Sequence, residues 1–430
     1  MSRLLMGAAK EDVTPAVGCR LFGYGTDTYA ASVHDPLYAK AFYITYGESS
    51  VLVISADVCE IDVGVCTALR QKLSQQHALP VSHVLICPTH THSGPALAKM
   101  DGWGDVDLDY LHTVFEPRVL RAAQRAAESR EPVQMGVASG KSRVGVNRRE
   151  PNGKGGVKLG VWERGCYDPE MVVLSFRNEA RQIVANMIHY GCHGTCAGNN
   201  TEISRDWPGV MTDRLEELSG GVTAFLNGAE GDVGPRLTNR KTTGDIRYMQ
   251  EHGGVAARDA ADIFRAIRSY RDVDMAFASH TLHIPLAERI SLSEAKAGEA
   301  AYLQYQQQQN WRYAQLQYYR NVAAAWENDL PQRACIEVEQ AAVRIGDAVL
   351  IAFPYELFSE IGLKIKARSA IPYTMPLSMV SGSLGYFPTE EQRCKKGYEV
   401  RMFEIAQLQP YAPFADEKLV SETVELLEKL

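Results

Sequence analysis

The chain has 430 residues and a net charge of −7, from 45 Lys plus Arg against 52 Asp plus Glu, with 45% hydrophobic and 23% charged residues. These proportions exclude a disordered or collagen-like chain, and the length is enough for a large buried core. The negative balance gives no global attraction to nucleic acid or to an anionic membrane, which leaves a small or neutral molecule as the expected substrate.

No apolar run approaches the ~18 residues that span a bilayer, so no transmembrane segment is expected. At the N-terminus Lys10, Glu11 and Asp12 arrive before an apolar stretch of ~7–15 residues can form, so no signal peptide is expected either. Nine cysteines, an odd number spread along the chain, fit reduced thiols and a cytoplasmic location.

In chain order, apolar alternation and continuous apolar runs predict strands at 39–46 and 51–56, a helix at 63–75, a strand at 83–87 and a helix at 108–129. Strands follow at 133–138, 171–176 and 183–188, a helix at 207–218, a strand at 222–227, a helix at 254–270 and a strand at 275–284. The chain then runs through strands at 336–344 and 348–353, a helix at 357–367 and a strand at 377–380. Hairpins and crossovers both occur in that order. The expected fold is α/β: mixed β-sheets, two of them packed together, flanked by helices in a single large domain. No internal repeat and no domain boundary is visible.

Two segments fall outside the alternation. Ser291 and Glu294 form a capping-box pattern that opens a helical insertion over 291–328, rich in Ala, Gln, Leu and Tyr. Its Tyr302, Tyr305, Trp311, Tyr313, Tyr318 and Tyr319 are read as packing, in the core or between subunits of a homo-oligomer. The stretch from Arg148 to Gly160, with Pro151, Asn152, Gly153, Gly155 and Gly156, is read as a substrate-shaping loop.

Chemistry concentrates where strands end. The strand at 83–87 runs into His90 and His92, and at spacing two on extended backbone both imidazoles point the same way, as a metal or a metal-plus-base pair requires. Another strand ends at His189 and His193, and spacing alone does not choose between them; both sit where a strand opens into a loop. Cys192 and Cys196 have no second pair to complete a zinc knuckle. Asp206 lies at or next to the N-cap of the helix that Pro208 begins. The strand at 222–227 is followed by small residues and two acids, Glu230 and Asp232, so backbone must approach something closely there. Glu356 comes just after an apolar strand, where a first-turn acid also suits the helix dipole.

Taken together, Thr89 to Pro95, Asn147 with Arg148, His193 ahead of Ile203 to Asp206, Asn227 to Pro235, Pro354 to Glu356, and Tyr386 with Tyr398 resemble the neutral/alkaline, non-lysosomal ceramidase family. The opening from Met6 to Pro15 resembles the start of that family's catalytic domain. The resemblance implies one Zn²⁺ per chain held by His90, His193, Glu356 and Tyr386, with His189 kept as the alternative second histidine. It implies His92 on the substrate side, as the group that takes and returns a proton, and Arg148 and Tyr398 facing the carbonyl oxygen. Asp232 is a second candidate for protonating the leaving amine. Gly234 stands where the family has a serine, so attack by metal-activated water, which needs no side-chain nucleophile, is expected instead of a serine acyl-enzyme. The family's C-terminal β-sandwich is not expected here.

The expected activity is cleavage of an amide, N-acyl or ceramide-like, by a zinc-dependent hydrolase of lipid metabolism. Two alternatives remain open: a zinc-dependent hydrolase of a C–O bond in an ester, lactone or glycoside, and a non-catalytic metal-bound binding protein.

Overall fold

Twelve strands position the site in the computed structural model, which describes residues 2–25, 28–100, 103–308 and 310–430. They are β1 (Leu5–Asp12), β2 (Tyr38–Tyr46), β3 (Ser49–Ala56), β4 (Val84–Pro88), β5 (Glu131–Lys141), β6 (Glu170–Asn178), β7 (Ile183–Tyr190) and β8 (Val222–Asn227). The last four are β9 (Met275–Pro285), β10 (Cys335–Ile345), β11 (Ala348–Ala352) and β12 (Tyr373–Leu377). The first eight form one mixed sheet in the order β8-β7-β6-β5-β1-β2-β3-β4, and the last four a second mixed sheet in sequence order.

One topology occurs three times. In each of β1–β4, β5–β8 and β9–β12, two antiparallel pairings are followed by a parallel one. A helix makes each parallel crossover: Val63–His77, Asp206–Ser219 and Ser359–Arg368. The large sheet is two such units joined through only Leu5 opposite Pro132 and Met6 opposite Glu131. The sequence therefore carries a repeat after all, in its connectivity rather than in its residues.

Inward side chains from all three units meet in a shared core, among them Phe42, Val53, Phe176, Met187, Val343 and Leu350. Each outer face is sealed by its own helices. Leu69 and Leu73 pack with Val119 on the first unit, Trp207 and Met211 with Ala260 on the second, and Ile361 and Ile365 with Leu419 on the third. Strands covered on both faces must be apolar throughout, and every residue of β4 and β11 is buried. The chain is thus α/β with mixed sheets packed together and helices outside.

Several expected elements shift, each for a local reason. The unexpected strand β1 holds small residues, and a Cβ on Gly7 would lie 1.9 Å from the Ala126 carbonyl oxygen of the covering helix. The expected loop at 148–160 is instead a hairpin, Gly145–Pro151 with Val157–Trp162. Asn147, Arg148 and Arg149 hid its first strand because these buried side chains are polar. The helix expected at 254–270 runs Ile246–Arg265. Gly253 and Gly254 lie inside it because Cβ atoms would meet Val210 and the Trp207 carbonyl at 2.6 and 2.9 Å in one case, and Arg214 in the other. The strand expected at 377–380 is β12, which carries Pro376 within it.

Between β9 and β10 the 291–328 segment forms two packed helices, Leu292–Tyr302 and Trp311–Glu327; Gln309 lies outside the described residues. Ser291 closes the expected capping box with Glu294. Three of its aromatics pack within the chain, Tyr302 stacking on Tyr319 at 5.7 Å and Tyr318 meeting Phe403 edge-on at 5.5 Å, whereas Trp311 is exposed. Among the described residues no helix is long and apolar enough to cross a membrane.

Candidate metal centre

The carboxyl ends of parallel strands in an open sheet form the crevice where ligands bind. Here three such ends, one from each unit, deliver the chemistry. His90 and His92 follow β4, His193 follows β7, and Glu356 follows β11 on a two-residue strand paired in parallel with Tyr386–Phe387, so that Glu356 lies opposite Tyr386.

His90 occupies a left-handed backbone conformation, φ 65°, of the kind that folds retain where a side chain must be aimed. Its Nδ1–H donates to the Cys59 carbonyl at 2.9 Å. Likewise His193 Nδ1 lies 3.0 Å from both the Glu230 and Val233 carbonyls. These backbone acceptors hold Nδ1 of each ring and turn Nε2 toward the site, the orientation that such carbonyls give to metal-binding imidazoles. Glu356 Oε2 sits 3.1 Å from His193 Nε2 and 3.5 Å from His90 Nε2. Although buried, His193 Nε2 and Glu356 Oε2 have no hydrogen-bond partner among the described residues. Ligand atoms of His90, His193 and Glu356 all lie within 4.8 Å of one another. Two imidazole nitrogens and a carboxylate oxygen at this spacing are a donor set that fits a divalent cation.

A second set, Cys59 with His90 and His92, also meets that spacing. It divides against itself. Cys59 Sγ lies 3.7 Å from Nδ1 of His90, whereas His92 Nε2 lies 3.2 Å from its Nε2, so the two approach opposite nitrogens. Burial also pushes the Cys59 thiol up to about 11, away from the thiolate that binds metal.

Electrostatics sort the remaining groups. Burial and then Arg148 and His90 push His193 down to about 3, so its ring is neutral. Burial, reinforced by His90 and His193, also holds His92 well below the ordinary imidazole range. Glu356 is held well below the carboxylate range because the two imidazoles outweigh its burial. Tyr386 stacks parallel to His193 at 6.5 Å and accepts a 2.9 Å hydrogen bond from Arg148 Nη2. The Tyr398 ring stands 6.1 Å from that of Tyr386.

His90, His92, Arg148, His193, Glu356, Tyr386 and Tyr398 are thus neighbours. Two candidates stand apart. His189 Nε2 lies 2.9 Å from the Pro376 carbonyl, within the packed interior. Both Asp232 oxygens are engaged, one by the Ser359 N–H at 2.7 Å and one by the Asn147 side-chain amide at 2.9 Å, so this carboxylate braces loops. Asp206 opens its helix, as expected, and also accepts from the Cys196 and Ala197 amides.

The sequence pointed to the Gly228–Asp232 turn but to the other acid. Glu230 is fully buried, neither of its oxygens has a hydrogen-bond partner among the described residues, and burial pushes it up to about 8. Glu60, which follows the end of β3, is pushed up to about 7 by burial and by Glu356. Tyr24 sets its ring edge-on to His92 at 5.0 Å; a glycine on either side was its one sequence signal.

Gly194 lets the His193 loop pack against the His90 loop. A Cβ there would lie 2.7 Å from the His90 carbonyl oxygen and 3.1 Å from Thr91 Cα, both backbone. Gly194→Ala should therefore cost about 1–3 kcal/mol and weaken metal binding in parallel. Thermal unfolding and metal titration check this, and an unchanged pair of values would count against the close approach.

The family model for "Neutral/alkaline non-lysosomal ceramidase, N-terminal" matches residues 4–252. The neutral ceramidase of Pseudomonas aeruginosa is 25% identical over 256 residues, 55% of this chain but only 38% of that protein. The crystal structure of neutral ceramidase from Pseudomonas aeruginosa superposes with a TM-score of 0.73 at 20% identity, covering 100% of this chain and 75% of that one. A ceramidase complexed with C2 gives the same TM-score at 18% identity, covering 100% and 76%. These superpositions show a common fold.

Proposed function

Because the chain belongs to the neutral/alkaline non-lysosomal ceramidase family, we propose that it is a zinc-dependent hydrolase of N-acyl amides, with ceramide-like amides as its substrate class. The observation that carries this reading is the convergence of His90 Nε2, His193 Nε2 and Glu356 Oε2 on one point, beside the Arg148–Tyr386 pair. The ligand set is His90, His193 and Glu356, with the Tyr386 phenol as the fourth donor.

A divalent cation in this position supplies Lewis acidity and lowers the pKa of water. The chain's own groups do the rest. His92, neutral and beside His90, accepts the proton of the attacking water and returns it to the leaving amine. Arg148 and Tyr398 face the carbonyl oxygen as it gains charge. Asp232, with both oxygens occupied, is left to hold the loops. Gly234 offers no side-chain hydroxyl, which favours direct attack by water. All nine cysteines are free, which supports a reducing compartment, the cytoplasm, as the location.

The surroundings of Tyr386 support an apolar acyl chain. A crevice of about 160 Å³ is lined by Tyr386, Met402, Phe403 and Leu408. It shares Leu384, Leu408 and Tyr411 with a larger crevice of about 410 Å³ that reaches Tyr318 and Val322 of the helical insertion. A mostly apolar crevice suits a hydrocarbon tail better than a sugar.

Turnover of long- and short-chain N-acyl amides and of the matching esters, by zinc-loaded protein, tests the proposal. Amides should be cleaved, long chains ahead of short. Cleavage of esters with no amide turnover would overturn the amide assignment.

A further inference from the structure

We infer that Glu399 is a positioning residue that sets the guanidinium of Arg148 against Tyr386. The inference rests on the role proposed above for Arg148.

Glu399 is 2% exposed, and one oxygen goes to each of two arginines adjacent in sequence. Its Oε1 accepts from Arg148 Nε at 3.0 Å, and its Oε2 accepts from Arg149 Nη1 at 2.6 Å. Arg149 is 1% exposed and has its other donors committed to the same stretch of chain. Its Nε donates to Gln392 Oε1 at 2.9 Å, and its Nη2 to the Gln392 and Lys396 carbonyls at 3.1 and 2.5 Å. Arg149 is therefore an anchor: it ties residues 392–399 to the Gly145–Pro151 strand and holds Glu399 Oε2 in one place.

With Oε2 held, Oε1 is fixed as well, and Arg148 is caught between two points. Its Nε donates to Glu399 and its Nη2 to the Tyr386 hydroxyl at 2.9 Å. A planar guanidinium fixed at two nitrogens keeps neither rotational nor translational freedom. Gly397, at φ 105°, starts the helix Tyr398–Ile405, and a Cβ there would meet Val157 at 2.6 Å and Arg149 Nη1 at 3.0 Å. Tyr398 enters the site on the same turn. One buried carboxylate, with both oxygens committed to arginines, thus registers Arg148 and Tyr398 relative to Tyr386.

A double-mutant cycle on the zinc-loaded protein tests this. Glu399→Gln should lower kcat for a long-chain N-acyl amide by ~10²-fold, with KM changed less than ~3-fold and metal content unchanged. Added to Arg148→Ala, it should cost no more than ~2-fold further, because both changes remove one unit. Glu399→Asp, which keeps the charge but is a methylene shorter, should fold and recover part of the rate. Full additivity in the cycle, loss of metal, or wild-type kcat in Glu399→Gln would each overturn the inference. If the wild-type chain cleaves no amide, the same cycle is read on calorimetric affinity for decanoate, whose carboxylate reports where Arg148 stands. Non-additive losses there would uphold the positioning role, and additive losses would end it.

Discussion

His90→Ala should leave the purified chain without bound zinc at concentrations that saturate the wild type, and hydrolysis should fall to background. His90 is fastened at Nδ1 by the Cys59 carbonyl and offers Nε2 to a site it shares with His193 and Glu356. Removing a residue that merely orients a ligand costs metal sites ~10–100-fold in affinity, so removing the ligand itself should exceed that range. His193→Ala should behave alike, because its ring is held by the Glu230 and Val233 carbonyls in the same way. Metal content by elemental analysis, with activity beside it, checks both variants. Retention of one zinc by either would exclude that histidine as a ligand.

His92→Ala has the second largest expected effect and the opposite signature. The protein should keep its metal and lose ~10²–10⁴-fold in kcat, the range for a general acid or base. Its Nε2 is 3.2 Å from His90 Nε2, yet His92 lies outside the group formed by His90, His193 and Glu356. Burial and the neighbouring imidazoles keep it neutral, so it can take a proton. The ring is backed by Tyr24 and Gly23, where a Cβ would meet His92 Nδ1 at 2.5 Å. Equal metal loss in His92→Ala and His90→Ala would overturn this division of roles.

How much of this was legible in the sequence depended on distance along the chain. His90, His92 and Glu356 announced themselves locally, as reactive side chains just past apolar strands. His189 and His193 looked equivalent, because the choice needed the register of β7: His189 is still within the strand, paired with Leu226, while His193 lies beyond its end. Glu230 and Asp232 are two residues apart in one turn, and only the Asn147 and Ser359 donors reveal which acid is engaged. The strand carrying Arg148 read as a loop because its buried side chains are polar and serve the site. Contacts such as Arg148 with Glu399, 251 residues apart, have no local signal. The threefold repetition of strand connectivity was equally hidden, since it lies in pairing and not in residue identity. That repetition still explains the site, because each unit contributes the carboxyl end of a parallel pair to one crevice.

The most direct measurement is anomalous diffraction at the zinc edge from a crystal of the zinc-loaded chain. One strong peak per chain is expected, at coordination distance from Nε2 of His90, Nε2 of His193 and Oε2 of Glu356, with the Tyr386 hydroxyl beside it. A peak held instead by Cys59 and His92, or no peak near these residues, would contradict that assignment.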